Sequence, residues 1–296
     1  MISFVVLHYL VTSETIRCVQ SILNWDDPNV TIVVVDNSSP NDSYTALKSE
    51  FKNTVNVHVV QNLNNIGYAG GIDYGYAYAR DVLHAEFIVT MNNDMEFQGG
   101  SISDKVKWLY QENNFDVLGP DIVSTTTKKH QNPEPFGMFS ISDVEHEISR
   151  IQYLKKHTTK LKIKSFVKKN KLLTSLIVNI KGHLSSRYQK LNVQKSDVVL
   201  HGSCYIFSPS YIKRRPYALY PLTSFYCEAQ ILSYECRYEK LMQLYSPEIV
   251  VYHHEDVATN AVEGDYYHKM LRKYDRLLDS LSIFKDLIRK NEKVDE

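Results

Sequence analysis

An α/β fold with a mostly parallel central sheet flanked by helices is predicted by three features of the first 120 residues. Short, wholly apolar runs recur at even intervals. Between them lie segments whose apolar residues fall at helical spacing. Each run ends in a cluster of Asn, Asp, Ser or Gly. Alternating strands and helices imply parallel βαβ units, whose strands are buried on both faces and so read as continuous apolar runs. Ligands of such sheets sit beyond the carboxyl ends of the strands, and the polar clusters fall at those ends.

In order, Ser3–Tyr9 reads as a buried strand, and Thr12–Asn24 as a helix with Ile16, Val19, Ile22 and Leu23 on one face. Asn29–Asp36 is a second strand, closed by the turn formers DNSSPND. Tyr44–Phe51 is a short helix, Asn56–Gln61 a third strand, Ala69–Leu83 a helix entered through a glycine-rich turn, and Glu86–Met91 a fourth strand stopping at Asn92-Asn93-Asp94. From Ser124 to Gln194 the alternation is lost and lysines interleave with Leu, Ile, Val and Phe. Strand character resumes over Asp197–Phe207, helical character over Glu228–Leu244, a short strand over Glu248–Tyr252, and helical spacing over Gly264–Asp286. Four parts follow: an α/β half at 1–123, a basic helical insertion at 124–195, a second half at 196–262 and a C-terminal helical segment at 263–296.

Of 296 residues, 43% are hydrophobic and 23% charged, the balance of a globular protein with ample core. No apolar run approaches the roughly 18–20 residues of a membrane span. MISFVVLHYL lacks a basic n-region and a cleavage site and reads as a strand, not a signal peptide. Cys18, Cys204, Cys227 and Cys236 are scattered without CxxC spacing, which favours free thiols and a cytoplasmic location. The net charge is zero, yet twelve basic and no acidic residues lie between Ile151 and Lys195, leaving 22 basic against 34 acidic side chains elsewhere. That segment is either a solvated helical face or a surface for anionic lipid, with Leu172, Leu173, Leu176 and Ile177 as its apolar contribution. No aromatic-basic module accompanies it, which argues against nucleic acid.

The polar clusters carry the candidate chemistry. Asp36, with Asn37 beside it, either accepts hydrogen bonds from a nucleobase or ribose or caps a turn. Asn62–Asp73 contains Asn65, Gly67, Gly70 and Gly71, and lets backbone approach a phosphate. It is neither GxGxxG nor a P-loop. Asn92-Asn93-Asp94 ends a strand with a carboxylate able to hold Mg²⁺ or Mn²⁺ through oxygen. His201-Gly202-Ser203 leads into an apolar strand, and Gly202 leaves room for substrate against backbone. Glu228 follows Ser224-Phe225-Tyr226-Cys227 at a helix start; a carboxylate beside aromatic rings is a candidate general base, or it answers the helix dipole. His253-His254-Glu255-Asp256 follows a strand and offers metal ligands.

The order of these elements resembles bacterial glycosyltransferase family 2, of GT-A (nucleotide-diphospho-sugar transferase) fold. Val35-Asp36-Asn37-Ser38-Ser39, Asn65–Ile72, Asn92-Asn93-Asp94, Gly202–Phe207, Phe225–Leu232 and Val251-Tyr252-His253 stand in the family's order over about 220 residues. The subgroup is similar to rhamnosyl and galactofuranosyl transferases of capsule or other surface polysaccharide. The resemblance implies a UDP- or dTDP-sugar donor and a glycan or lipid-linked hydroxyl acceptor. It places Asp36, Asn37, Asn65, Gly67, Gly70, Gly71, Asn92 and Asn93 at the nucleotide sugar. It places Asp94 and His253 on a divalent Mn²⁺ or Mg²⁺, Glu228 as the catalytic base of an inverting displacement, and Gly202, Ser203 and His254 on the acceptor side. A lipid-linked acceptor would suit a protein held peripherally on the inner face of the cell membrane.

Three departures bear on the detail. The metal motif has one acid, Asp94; Ala229 replaces the second acid of the acid motif; and Glu235 stands where an Arg is common. Two rival readings follow: an inactive scaffold of a polysaccharide synthesis complex, and a sugar nucleotidyltransferase. The second would want a glycine-rich basic loop after the first strand, where Leu10-Val11-Thr12-Ser13-Glu14 stands instead.

Overall fold

The computed structural model describes residues 1–159, 161–163, 165, 190–223, 225–255 and 265–295. The N-terminal half runs β1 (Ile2–His8), α1 (Thr12–Leu23), β2 (Val30–Asp36), α2 (Ser43–Glu50), β3 (Val57–Gln61), α3 (Gly67–Asp81) and β4 (Phe87–Asn92). Then come β5 (Met95–Phe97), α4 (Ser103–Asn113), β6 (Val117–Ser124), α5 (Ile141–Lys156), β7 (Lys195–Ser196) and β8 (Cys204–Phe207). The chain continues through α6 (Pro209–Arg214), α7 (Glu228–Tyr238), β9 (Gln243–His253) and α8 (Tyr266–Asp295).

Among the described residues the strands form one sheet, ordered β3-β2-β1-β4-β8-β6-β9-β5, with β7 paired to β9. The first four strands are mutually parallel. Beyond β4 the sheet is mixed, because β8 runs antiparallel to both β4 and β6, while β6 and β9 are parallel. Register aligns the strand ends: His8 lies opposite Asp36, Leu7 opposite Asn92, and Asp36 opposite Gln61. The polar termini of β1, β2, β3 and β4 therefore meet at one edge.

Both faces are covered. Cys18, Val19 and Ile22 of α1, Leu47 of α2, and Val106 and Leu109 of α4 are buried in one apolar cluster. Ala69, Ile72, Tyr76 and Ala79 of α3, Tyr211 of α6, and Leu232 and Cys236 of α7 belong to the other. A third cluster joins Val144 and Ile151 of α5, Ile231 of α7, and Leu281, Phe284 and Ile288 of α8. Burying each of those three α8 side chains contributes about 1.5–3 kcal/mol before ordering costs, enough to hold α8 on α5 and α7. Helix α5 is opened by a reciprocal cap between Ser140 and Asp143.

Several boundaries differ from the sequence expectation. The helix expected over Glu228–Leu244 ends at Tyr238, because Lys240 enters the left-handed region (φ 56°) and the chain turns into β9. The late strand is longer than Glu248–Tyr252, being paired along β6 from Gln243 to His253. Of the strand expected over Asp197–Phe207 only the last four residues, β8, form one; Asp197 at φ 55° turns the chain out of β7, just before it. Strands β5 and β6 and helices α4 and α6 match no element expected from the sequence, and α5 lies at the start of the basic insertion, where no single helix was marked out. Of the basic stretch, Lys160, Lys164 and residues 166–189 lie outside the described residues, as does Asp256.

Helix α3 packs unusually close to the sheet. A Cβ on Gly75 would meet Val5 Cγ1 at 2.3 Å and Val35 Cγ2 at 2.7 Å, and one on Gly71 would meet Leu7 Cδ1 at 2.5 Å. Gly71, expected at the nucleotide sugar, is thus required for packing. Gly75→Ala should lower stability by about 1–3 kcal/mol, the usual cost of overfilling a packed core, measured as a shifted urea midpoint with unchanged slope. A variant as stable as wild type would mean that α3 can move off the sheet at no cost.

Candidate active site

The cleft lies over the aligned strand ends and has a volume of about 1650 Å³. Its floor includes Asn65, Gly67, Tyr68, Asn92, Asn93 and Asp94; His201, Gly202 and Ser203 form one side, and Phe225, Tyr226 and Glu228 another.

Asn37 fastens the turn that leads into α3. Its Nδ2 donates to Gly67 O (2.8 Å) and Asn65 Oδ1 (3.3 Å), and its Oδ1 accepts from Asn62 Nδ2 (3.0 Å) and Ile66 N (3.4 Å). Gly67 takes φ 79°, a conformation open to glycine. Gly70 sits against Ile66 instead of in the cleft lining.

Asp36 takes the turn-capping role, one of its two readings. It is wholly buried, outside the cleft lining, and Oδ2 accepts from Gln61 Nε2 (2.9 Å) and Ser39 N (3.2 Å). Its Oδ1 lies 3.6 Å from His8 Nε2. Burial pushes the His8 imidazole down to about 4, with Asp36 pulling the other way, so the ring is neutral near pH 7. Thr15 Oγ1 lies 2.6 Å from His8 Nδ1 and accepts from Asn93 Nδ2 at 2.9 Å. Thr15 Oγ1 thus joins His8 to Asn93, while His8 Nε2 and Asp36 Oδ1 face each other at 3.6 Å without a hydrogen bond. Asp36 and Asn93 thereby tie β2, β1 and the end of β4 together. A nucleotide would reach Asp36 by displacing Gln61 or Ser39.

Asp94 and His253 do come together. Both are buried, and His253 Nε2 stands 3.4 Å from Asp94 Oδ1, an oxygen with no hydrogen-bond partner. The nearby Asn92 Oδ1 is likewise buried and unpartnered. Gln131 orients the histidine: its Nε2 donates to Glu255 Oε1 (2.6 Å), leaving Oε1 to accept from His253 Nδ1 (2.8 Å). Ser124 Oγ donates to the other Glu255 oxygen at 2.5 Å. The Nε2 lone pair therefore points at Asp94, the arrangement in which a histidine binds metal with its other nitrogen held by an outer partner. Among the described residues no group of three His, Cys, Asp or Glu side chains gathers around a point, so the protein offers a two-residue donor set, which fits an ion whose other ligands are phosphate oxygens and water. His254 is turned away and lies 2.8 Å from Glu96. Glu255, offered by sequence as a metal ligand, is engaged by Gln131 and Ser124.

Glu228 opens α7 after two residues in the left-handed region, Tyr226 (φ 70°) and Cys227 (φ 67°). Such backbone costs of order 1–3 kcal/mol per bulky residue and persists where surrounding structure demands it. It aims the carboxylate into the cleft. Burial pushes the Glu228 carboxyl up to about 7, against hydrogen bonds from the Glu228 and Tyr226 backbone, and Oε1 has no partner. Tyr68 lies between the two acidic centres: its hydroxyl donates to Gly202 O (2.7 Å), and burial raises it well above its usual value, with Glu228, Cys204 and Asp94 adding. Ser203 Oγ lies 2.9 Å from His201 Nδ1, and burial, aided by His253, pushes His201 down to about 4. The acid-motif departure at Glu235 is answered locally, since Arg215 pairs with it at 2.6 Å and Tyr217 donates to it at 3.0 Å.

Tyr68, His201 and Gln131 were not singled out individually by sequence. His201 had a signal, standing beside Gly202-Ser203. Gln131 had none, because it lies in a loop and meets His253 only through the pairing of β6 with β9.

A parallel half and a mixed half meeting at a cleft over the strand ends, with a carboxylate–histidine pair and a buried glutamate, make the GT-A architecture. The chain belongs to glycosyl transferase family 2, whose profile matches residues 3–178. It is 27% identical over 106 residues to the low-salt glycan biosynthesis hexosyltransferase Agl10 of Haloferax volcanii, covering 36% of this chain and 33% of that protein. The match thus spans about a third of that relative. The fold is similar to that of S. aureus TarS 1-349, with a TM-score of 0.50 and 15% identity over 90% of this chain and 68% of that one.

The raised Glu228 carboxyl has a thermodynamic consequence. Below about pH 4.5 the group is protonated in folded and unfolded chains alike. As pH rises from there to about 7 the unfolded chain loses the proton first, so the stability that this group contributes is lost across that window. Glu228→Gln should therefore gain on wild type by on the order of 2 kcal/mol between pH 4.5 and 8, read from denaturant midpoints. A constant difference across that range would place Glu228 in water.

Proposed function

We propose that this protein is an inverting glycosyltransferase that moves a sugar from a nucleoside diphosphate to a hydroxyl of a glycan or lipid-linked acceptor. The observation that carries the reading is the pairing, across Tyr68, of a buried glutamate whose carboxyl stands at about 7 with the Asp94–His253 pair. A carboxylate of that strength is matched to taking a proton near neutral pH.

In this reading residues 1–123 form the donor half and 196–262 the acceptor and catalytic half. Asn65, Gly67, Asn92 and Asn93 face the nucleotide sugar, of UDP or dTDP type. Asn37 acts through the turn it fastens, and Asp36 through the strand ends it ties together. Asp94 and His253 hold Mn²⁺ or Mg²⁺, which when bound offsets charge on the diphosphate leaving group. Glu228 Oε1 accepts the proton of the acceptor hydroxyl as its oxygen forms the bond to the anomeric carbon and the bond to the diphosphate breaks. A single base and an in-line displacement invert that carbon and leave no sugar on the protein. Gly202 and Ser203 lie on the acceptor side, with Tyr68 locked to Gly202 O.

A role in surface polysaccharide synthesis follows from the family subgroup that the motifs resemble. Among the described residues no helix is long and apolar enough to cross a membrane. The basic segment 151–195 is proposed to rest peripherally on an anionic membrane surface, where each cation adds about 1 kcal/mol.

Hydrolysis of a panel of UDP- and dTDP-sugars with Mn²⁺ tests the assignment, with water standing in for the acceptor. Glu228→Gln should bind nucleotide as wild type does in calorimetry while turnover falls about 10²-fold or more. Retained turnover would remove Glu228 as the base, and joint loss of binding and turnover would make its role structural.

Asp94→Ala should abolish hydrolysis and weaken nucleotide binding in Mn²⁺ without lowering the melting temperature, and EDTA should do the same to wild type. Undiminished activity in EDTA would exclude the metal role.

A further inference from the structure

The C-terminal helix supplies a feature that the donor chemistry does not use. Lys269, Arg272, Lys273 and Arg276 of α8 all line the cleft that holds Glu228. Their spacing of three, one and three residues puts them on a single helix face, a stripe about 10 Å long at 1.5 Å per residue. Arg276 lies over the Phe225 ring (4.4 Å to its centroid) and Lys273 over the Tyr226 ring (5.1 Å). These are the two residues that lead directly into Glu228. Both cations are exposed, and their contacts with the rings hold them at the cleft. Helix α5, packed beside α8, adds Glu147 and Arg150 to the same cleft, where they pair with each other at 2.5 Å.

The stripe is firmly mounted. Leu281, Phe284 and Ile288 fix α8 in the third apolar cluster, and Ser280 Oγ donates to Phe225 O at 2.7 Å, tying the helix to the loop before Glu228. The space is also larger than one ligand needs. Small-molecule sites typically occupy about 300–1,000 Å³, against about 1650 Å³ here. A donor over Asp94 leaves room for a second molecule between Glu228 and α8.

A neutral sugar chain has no use for four cations on one helix face, whereas a phosphate group does. We propose that the acceptor is phosphate-bearing, and that Lys273 and Arg276, with Lys269 and Arg272 further along the same face, bind that phosphate while Glu228 faces the hydroxyl to be glycosylated. This rests on the transferase reading above and adds the acceptor's chemical class to it. The phosphate is either a phosphodiester within a polymer or the diphosphate that joins a glycan to a lipid carrier. Both present the same charged oxygens to the stripe.

The test is calorimetry on the full chain with UDP and Mn²⁺ saturating, so that the donor site is filled. The probes are a glycerol phosphate hexamer, farnesyl diphosphate and, as the neutral control, maltohexaose. Wild type should bind at least one phosphate probe, more weakly as salt rises, and should ignore maltohexaose. Binding of the hexamer alone identifies a phosphodiester polymer, and of farnesyl diphosphate alone a lipid-linked diphosphate. The double variant Lys273→Ala, Arg276→Ala should bind the same probe roughly tenfold more weakly, with UDP affinity and melting temperature held. If neither phosphate probe binds, or the variant binds equally well, the inference is wrong. A matching loss of UDP affinity would assign the stripe to the donor and overturn it too. Failure of wild type to bind either UDP or dTDP with Mn²⁺ would instead sink the transferase reading itself.

Discussion

Asn37 is the interaction on which the geometry of the cleft depends. One side-chain amide, buried at the end of β2, bonds to Asn62, Asn65, Ile66 and Gly67 and so fixes the whole turn before α3. The turn in turn sets where α3 begins, and the bare Cα atoms of Gly71 and Gly75 let that helix settle directly on β1 and β2. Tyr68 is carried on the first turn of α3, and from there its hydroxyl reaches Gly202 in the other half of the sheet. One amide thus couples the parallel half to the mixed half. A buried polar group of this kind is valuable only when fully partnered, since each unmet donor or acceptor costs about 1–3 kcal/mol.

The same rule separates framework from chemistry in the cleft. Thr15 joins His8 to Asn93, and Gln61 and Ser39 hold Asp36, so these side chains keep strand ends together. Glu235 and Arg215 do likewise beneath α7. Asp94 Oδ1, Asn92 Oδ1 and Glu228 Oε1 are different, because they are buried and unpartnered on residues that line the cleft. Groups left in that condition are expected where a ligand completes them. Desolvation then works to advantage at Glu228, raising its carboxyl to about 7 without a neighbouring anion as the main cause.

Family membership rests on motifs that lie mostly at strand ends, and those were legible because their spacing is dictated by the βαβ repeat. Strands β1 to β4 and helices α1 to α3 were read within about two residues, since a strand buried on both faces must be continuously apolar. Strands β5 and β6 and helix α5 were not. β5 is three residues long, and β6 is interrupted by Gly119, Pro120 and Asp121, where its register with β9 shifts. Helix α5 is amphipathic against α8, a partner more than a hundred residues away in sequence.

By itself the sequence determined the fold class and the family, and it singled out Glu228, Asp94 and His253 as candidates for the chemistry. Local patterns carry those because secondary structure and strand-end turns are written within a few neighbouring residues. Only the tertiary structure decided which polar residues face the cleft and which are turned into the framework. Asp36, Gly71 and His254 read alike with Asn65 and Asp94 along the chain, yet packing directs the first to Gln61 and His8, the second onto Leu7 and the third to Glu96. The tertiary structure also placed Gln131 behind His253 and the cations of α8 opposite Glu228. Those encounters join segments that the sheet order brings together and the linear sequence keeps apart.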